Sequence, residues 1–241
     1  KGLKISLSNI NTIKKKIDNN HILFSESQSR IVVTVNPSNI QKFENYFKKN
    51  KPDLVLHCAA LSRPMKIHEK NIIKSINTNI IGTSNLVNIC AKNNIKIIYL
   101  STSYVYPGTK GNYKENSNLK PINNYAWSKL GGECAVMMYS NSLILRVCMT
   151  ERPFVHKFAY NNFKTNFIFH DQVAEFLPKL FKYKGVINVG GKSRTVYNFS
   201  KKYNPKIKGK KLAKKSGLLK INTSMNIDKL KKIINDKILV L

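Results

Sequence analysis

The chain has 241 residues, 42% of them hydrophobic and 10% aromatic, which excludes a disordered chain and suits one α/β domain with a modest additional lobe. No apolar run approaches the roughly 20 residues of a membrane span and no signal-peptide pattern opens the chain, so we expect no membrane partner and a cytoplasmic location. The net charge of +30 would attract phosphate groups. Lysines are nevertheless scattered over nearly every segment, without zinc-finger, basic-zipper or aromatic RNA-binding spacing, so no nucleic-acid partner is expected.

Short apolar runs alternate with segments of helical spacing along the first half of the chain. The first predicted strand is Ile22–Phe24, and Ser38 is expected to cap the helix that follows it. A largely apolar strand is predicted at Leu54–Cys58, as expected for a strand buried on both faces. One long helix or two consecutive helices are predicted over Ile67–Lys92, followed by a buried strand at Ile95–Leu100.

The same alternation continues in the second half. A helix is predicted over Asn123–Tyr139 and a strand over Leu143–Val147. Asp171 is expected to cap a helix that runs to Phe181 and is kinked at Pro178. A strand at Val186–Val189 and a last amphipathic helix near Ile227–Ile234 complete the pattern.

Strands that alternate with helices predict an α/β fold with a doubly wound, Rossmann-like parallel sheet. We expect residues 1–147 to form the main domain and residues 148–241 a small lobe, partly interleaved with the sheet. Ligands of such sheets bind beyond the carboxyl ends of the strands. Functional side chains are therefore expected directly after the apolar runs.

Three polar residues stand where that rule places a site. Tyr125 and Lys129 are four residues apart, so they share one face of the predicted helix. A nearby ammonium favours the phenolate and lowers a phenol pKa, which lets a tyrosine exchange a proton with a carbonyl or alcohol oxygen near neutral pH. Thr102, at the end of a predicted strand, could hold the same oxygen. Alone, this Tyr/Lys spacing is also typical of an ordinary surface pair.

The surrounding motifs resemble the extended short-chain dehydrogenases/reductases, and among them the nucleotide-sugar reductases of the dTDP-4-dehydrorhamnose reductase type. The resemblance runs from about Pro52 to Gly191, in the expected order, and its specificity comes from that combination. The matching segments are Pro52–Ala60, Asn79–Thr83, Ser101–Gly108, the set Glu115, Pro121, Tyr125, Lys129 and Glu133, then Leu143–Val147, Asp171–Ala174 and Asn188–Gly191.

The resemblance implies roles for these residues. Thr102 would be the catalytic hydroxyl, Tyr125 the general acid/base, and Lys129 the pKa-lowering lysine that also touches the cofactor ribose. Ala59, Ala60 and Asn79 would lie near the cofactor, although Asn79 could instead make a helix-to-strand hydrogen bond. Arg63, Ser103 and Arg152 are candidate substrate contacts, and a surface role is equally open for Arg63.

The family comparison also narrows the reaction. Ser103 and Tyr104 stand where dehydratases of the family carry an acidic pair, and Tyr104 replaces the cysteine of its fucose-forming epimerase/reductases. NAD(P)H-dependent reduction of a keto group on a nucleotide-linked sugar is therefore the leading hypothesis. A nucleotide-sugar 4-epimerase and a non-catalytic relative that binds polyanions remain alternatives. Dimerisation through two long helices is typical of relatives, which makes a homodimer possible.

The cofactor loop is where the pattern breaks. The family opens with a glycine-rich phosphate loop, of which Gly2 is the candidate remnant, but Ile5 stands at the third glycine position. We therefore expect a truncated sequence, with a protein that naturally lacks the phosphate loop as the alternative. Glu26 could accept from a ribose hydroxyl of NAD, whereas Ser27 and Arg30 could hold the 2′-phosphate of NADP. Both cofactors remain open, with NADP preferred, and a plain surface role is equally open for Arg30.

Cysteine and histidine patterns predict no metal site. The cysteines are widely spaced and form no C-x-x-C pair, which indicates reduced thiols. The histidines lack metal-ligand spacing.

Overall fold

The computed structural model describes residues 52–154, 156–212 and 221–234. Its helices are α1 (Ile67–Lys70), α2 (Ile72–Ser75), a π-helical segment (Ile76–Ile81), α3 (Gly82–Lys92), a 3-10 turn (Ser103–Val105), α4 (Asn124–Met137), α5 (His170–Leu180), α6 (Val196–Tyr203) and α7 (Asp228–Ile234). Its strands are β1 (Leu54–His57), β2 (Lys96–Thr102), β3 (Ser142–Val147), β4 (Met149–Thr150), β5 (Phe158–Tyr160), β6 (Lys164–Thr165), β7 (Ile168–Phe169), β8 (Gly185–Val189), β9 (Arg194–Thr195) and β10 (Lys208–Lys210).

The largest sheet is parallel and has the order β1-β2-β3-β8. Each of its strands coincides with a predicted apolar run, within two residues at either end. The α/β class with a parallel central sheet is therefore confirmed. The predicted strand at Ile22–Phe24 and the helix after Ser38 lie outside the described residues.

Helices cover both faces of this sheet. Alternate residues of β2 point to opposite sides, as the pleat requires. Ile97 packs with Val87 of α3 and Val136 of α4, whereas Ile98 packs with the cluster that contains Phe176 of α5. Helix α7 belongs to that second cluster through Leu230 and Ile234. The double covering explains why the central strands read as continuous apolar runs.

Two predicted helices differ in detail. The segment Ile67–Lys92 is neither one helix nor two, because Asn71 breaks it and its side chain caps α2 by accepting a hydrogen bond from Lys74 N at 2.9 Å. A π-helical segment then precedes α3. The cap of α5 is also not Asp171. Phe169 occupies that position, its N–H donates to Gln172 Oε1 at 3.1 Å, and Asp171 lies in the first turn.

A second, smaller core lies beside the sheet unit. It contains Phe154, Ala159, Phe169, Phe199 of α6 and Ile207. The ribbons β5/β10 and β6/β9 belong to this region, while α5 and β8 return to the main sheet. The chain thus alternates between the two cores after β3, and a domain boundary at residue 147 remains a prediction. No described helix is long and apolar enough to cross a membrane.

Candidate active site at the carboxyl edge of the sheet

Thr102 is the last residue of β2, at the carboxyl edge of the sheet. Its backbone is extended, and its Oγ1 accepts a hydrogen bond from Tyr104 N at 3.3 Å as the chain turns into the 3-10 segment. Thr102 is therefore the last residue with extended strand geometry before the 3-10 turn. The neighbouring Ser103 is buried.

Tyr125 and Lys129 lie one turn apart at the start of α4. The helix begins after Asn123, whose side chain accepts a hydrogen bond from Ala126 N at 2.8 Å. Both side chains are buried, with exposed fractions of 4% for Tyr125 and 2% for Lys129. The Lys129 Nζ lies 4.2 Å from the centroid of the Tyr99 ring, which provides an aromatic face for the buried ammonium.

One cavity of about 70 Å³ brings several predicted residues together. Thr102, Ser103, Tyr125 and Arg63 all line it, although they come from separate segments of the chain. The Arg63 guanidinium at its rim pairs with both carboxylate oxygens of Glu151, at 2.7 and 2.8 Å. This pairing lowers the pKa of Glu151, against the effect of its partial burial. Lys129, one helical turn after Tyr125, is not among the lining residues.

Two aromatic rings contact Tyr125, and neither contact was predicted. The His68 ring lies 5.2 Å from the Tyr125 ring, and Tyr104 meets Tyr125 edge-on at 6.5 Å. His68 is fully buried, and its Nδ1 is hydrogen-bonded to Ser75 Oγ at 2.8 Å. Burial lowers the pKa of His68. A fixed, neutral imidazole thus packs against the candidate acid/base.

His57 lies near the Lys129 side of the site. Its Nε2 is hydrogen-bonded to Thr83 Oγ1 at 2.9 Å, and its ring lies 5.4 Å from that of Tyr99. Burial, together with the positive charge of Lys129, lowers the pKa of His57 to about 4. His57 is therefore neutral at physiological pH and does not add a second charge beside Lys129.

Asn79 is engaged entirely with protein groups. Its Oδ1 accepts from Leu61 N at 2.7 Å, and its Nδ2 donates to Leu61 O at 2.9 Å and Ser128 Oγ at 2.8 Å. It thereby ties the loop after β1 to α4. Ala59 is exposed and Ala60 half-buried in the same loop, which leaves open space beside the strand end.

The other predicted residues lie apart from the cavity. Arg152 stacks 4.0 Å from the centroid of the Phe169 ring, and its Nε lies 3.3 Å from an Asp171 carboxylate oxygen. The structure does not bring it to Thr102 and Tyr125. The candidate cofactor residues Gly2, Glu26, Ser27 and Arg30 lie outside the described residues.

A buried polar network supports the strand ends from beneath. The Arg146 guanidinium forms an ion pair with Glu133, whose other carboxylate oxygen accepts from Ser101 Oγ at 2.6 Å. Arg146 also donates to Tyr106 Oη at 2.7 Å, and Tyr106 donates to Asn188 Oδ1 at 2.8 Å. The network links α4 to β2, β3 and β8. Its member in β2 is Ser101, the residue directly before Thr102.

The described part of the site fits the reactive end of a nicotinamide cofactor. Small alanines after β1, the hydroxyl of Thr102 and the Tyr125/Lys129 pair lie at the carboxyl edge, where ligands of parallel sheets bind. Among the described residues, no group of three or more His, Cys, Asp or Glu side chains is placed to hold a metal ion.

Residues 11–172 match the family described as "RmlD substrate binding domain". The chain belongs to this family. Its residues are 36% identical over 98 positions to methionine adenosyltransferase 2 subunit beta of Xenopus laevis, a match that covers 40% of this chain and 29% of that protein. The match thus spans less than a third of the curated relative's length.

Solved structures agree with the fold. A hypothetical dTDP-4-dehydrorhamnose reductase from Sulfolobus tokodaii has a TM-score of 0.71 and 23% identity, with 85% of this chain and 82% of that chain covered. The dTDP-4-dehydrorhamnose reductase of Bacillus anthracis str. Ames, solved in complex with NADP, has a TM-score of 0.66, 20% identity and coverage of 82% and 79%. At these identities the likeness shows the fold alone. The family match confirms the resemblance stated from the motifs.

Proposed function

We propose that this chain reduces a keto group on a nucleotide-linked sugar, with NADP(H) as the preferred cofactor. The observation that carries the proposal is that Thr102 and Tyr125, from separate elements, line one cavity at the carboxyl edge of the sheet. Lys129 lies one turn behind Tyr125, buried in the same helix. Membership of the RmlD family supports the substrate class.

Each residue has a defined task in this reaction. A nicotinamide cofactor, when bound, would supply the hydride that reduces the keto carbon. Tyr125 gives its phenolic proton to the oxygen that becomes an alcohol, and the Lys129 ammonium stabilises the phenolate left behind. Thr102 Oγ1 donates a hydrogen bond to the same oxygen, which orients it. Ala59, Ala60 and Lys129 would hold the nicotinamide end, and Arg63 at the cavity rim is a candidate substrate contact.

The test is a pair of measurements on the chain and on the variant Tyr125→Phe. Binding of NADPH and NADH is followed by fluorescence titration, and turnover by oxidation of the cofactor with dTDP- and UDP-linked 4-keto sugars. Tyr125→Phe is expected to lower turnover by at least about 100-fold and to leave cofactor binding within a few fold, because the phenolic proton alone is lost. Tyr160→Phe is the matched control, since Tyr160 is partly exposed and lies in β5.

Turnover that survives Tyr125→Phe would contradict the mechanism. Interconversion of two sugars without net cofactor oxidation would instead indicate a 4-epimerase. A second candidate, a non-catalytic binding subunit, is favoured by one finding, the similarity to a protein named as a subunit. Cofactor binding without turnover on any 4-keto sugar would support that candidate.

A further inference from the structure

Positive charge is concentrated in the smaller unit. Residues 191–212 carry eight lysines or arginines, and neither residues 152–170 nor residues 176–212 contain an Asp or a Glu. At the margin of this unit Asp171 pairs with Arg152, and elsewhere in the described chain Glu133 and Glu151 neutralise Arg146 and Arg63. The scatter of lysines along the sequence conceals this, because the fold brings segments 156–169 and 191–212 together.

Within this unit, strands β5 and β10 form a solvent-facing surface on which lysine and aromatic side chains lie side by side. They pair in parallel, with Lys208 beside Phe158 and Lys210 beside Tyr160. Partner residues of neighbouring strands point to the same face of a sheet. Ala159 and Ile207 are buried in the small core, so the opposite face presents Phe158, Tyr160, Lys208 and Lys210. We call these four residues the lysine–aromatic ribbon.

The ribbon is open to solvent. Phe158 is 56% exposed and Tyr160 38% exposed, and both lysines are exposed. Ion pairs found among the described residues involve neither Lys208 nor Lys210. One exposed aromatic would be ordinary, but two at positions i and i+2 lie about 6.6 Å apart on one face, each beside a lysine.

This arrangement complements a chain that repeats an anionic group and a flat apolar face. Single-stranded nucleic acid has both, since its phosphates match the lysines and its unpaired bases can stack on the aromatic rings. A duplex hides its base faces. An acidic peptide matches the lysines but leaves the rings unused, and a membrane surface is matched best by a helix with a long apolar face.

We propose that the lysine–aromatic ribbon binds single-stranded nucleic acid. The phosphates lie along Lys208 and Lys210, and two successive bases stack on Phe158 and Tyr160. The binding is tolerant of sequence, because stacking uses the base faces and phosphate contacts carry no sequence information. The proposal is independent of the reductase activity, and the ribbon residues are not among those that line the catalytic cavity.

The test is fluorescence anisotropy of a labelled 12-nucleotide oligo(dU) titrated with the full chain at several salt concentrations. The double variant Phe158→Ala/Tyr160→Ala is expected to weaken binding at least fivefold per ring, as loss of base stacking requires. Lys208→Ala/Lys210→Ala should reduce the slope of log affinity against log salt by about 1.4, because two phosphate contacts are lost. Lys92→Ala/Lys179→Ala removes equal charge at exposed helix ends and serves as the matched control.

Three outcomes would overturn the proposal. The first is no binding of the oligonucleotide at low salt. The second is unchanged affinity of the Phe158→Ala/Tyr160→Ala variant, with heparin binding as tightly as oligo(dU), which indicates a nonspecific cationic surface. The third is ring-dependent binding to phosphatidylserine vesicles but not to oligo(dU), which indicates a membrane surface. Circular dichroism of each variant separates loss of binding from loss of fold.

Discussion

The Tyr99 side chain contacts both the ammonium group and the backbone carbonyl group of Lys129. Its ring lies beneath the Lys129 ammonium at 4.2 Å, and its hydroxyl donates a hydrogen bond to the Lys129 carbonyl oxygen at 3.0 Å. Tyr99 belongs to β2, the strand that ends at Thr102. One strand therefore carries the candidate catalytic hydroxyl and also fixes the lysine of the neighbouring helix.

Two substitutions of Tyr99 separate these contacts. Tyr99→Phe removes only the hydrogen bond and is expected to lower the free energy of unfolding by about 1 kcal/mol, with little effect on turnover. Tyr99→Leu also removes the aromatic face, a contact worth about 2 kcal/mol for a desolvated cation, and should lower kcat at least tenfold. Urea unfolding and steady-state kinetics on both variants test this. Equal turnover in the two variants would show that the ring does not position Lys129.

A second prediction concerns His68. His68→Phe keeps a ring against Tyr125 but loses the bond to Ser75, whereas His68→Ala removes the packing altogether. We expect kcat to fall severalfold in the first variant and further in the second, with KM nearly unchanged, because the residue touches Tyr125 and not the cavity. Tyrosine labelled with carbon-13 at Cζ reports the Tyr125 phenol by NMR, with Tyr125→Phe assigning its signal. An unmoved signal in His68→Ala would rule out a positioning role.

Much of the fold could be predicted because a strand that is buried on both faces of the sheet appears in the sequence as a continuous apolar run. The four central strands are apolar runs, and their positions follow directly. The position where β2 ends cannot be predicted in this way, because its last two residues, Ser101 and Thr102, are polar. Ser101 is nevertheless buried, because Glu133, thirty-two residues later, accepts its hydrogen bond. No local pattern contains that information.

The site shows the same division. Tyr125 and Lys129 lie on one helix, so their spacing predicts their geometry. Contacts between distant segments, such as His68 with Tyr125 or Asn79 with Leu61, depend on how the helix after β1 breaks and turns. The break at Asn71 and the π-helical segment give no clear sequence signal, because isoleucines recur on both sides of them.

Two ion pairs of opposite burial provide a third prediction. Glu133→Gln leaves the buried Arg146 without its counter-charge and should lower the free energy of unfolding by about 3–5 kcal/mol. Glu151→Gln breaks the solvent-exposed pair with Arg63 and should change the free energy of unfolding by less than about 1 kcal/mol. Urea denaturation of the two variants makes the comparison. Similar losses would mean that the Glu133 network is hydrated and contributes little.

The depressed pKa of His57 predicts a stability that depends on pH. Its pKa is about 4 in the folded chain and 6.5 as an ordinary value, so the unfolded chain binds the extra proton first as pH falls. The contribution is fully present above pH 6.5 and is lost between pH 6.5 and 4, by about 3 kcal/mol in total. His57→Gln can keep a hydrogen bond to Thr83 without titrating. The free energy of unfolding, measured in urea at pH 7 and 4.5, should therefore fall more steeply in the wild type than in the variant, by about 2–3 kcal/mol. The contributions of all other titrating groups cancel in that difference. If the free energy of unfolding fell equally in the two proteins, the pKa of His57 would not be depressed in the folded chain.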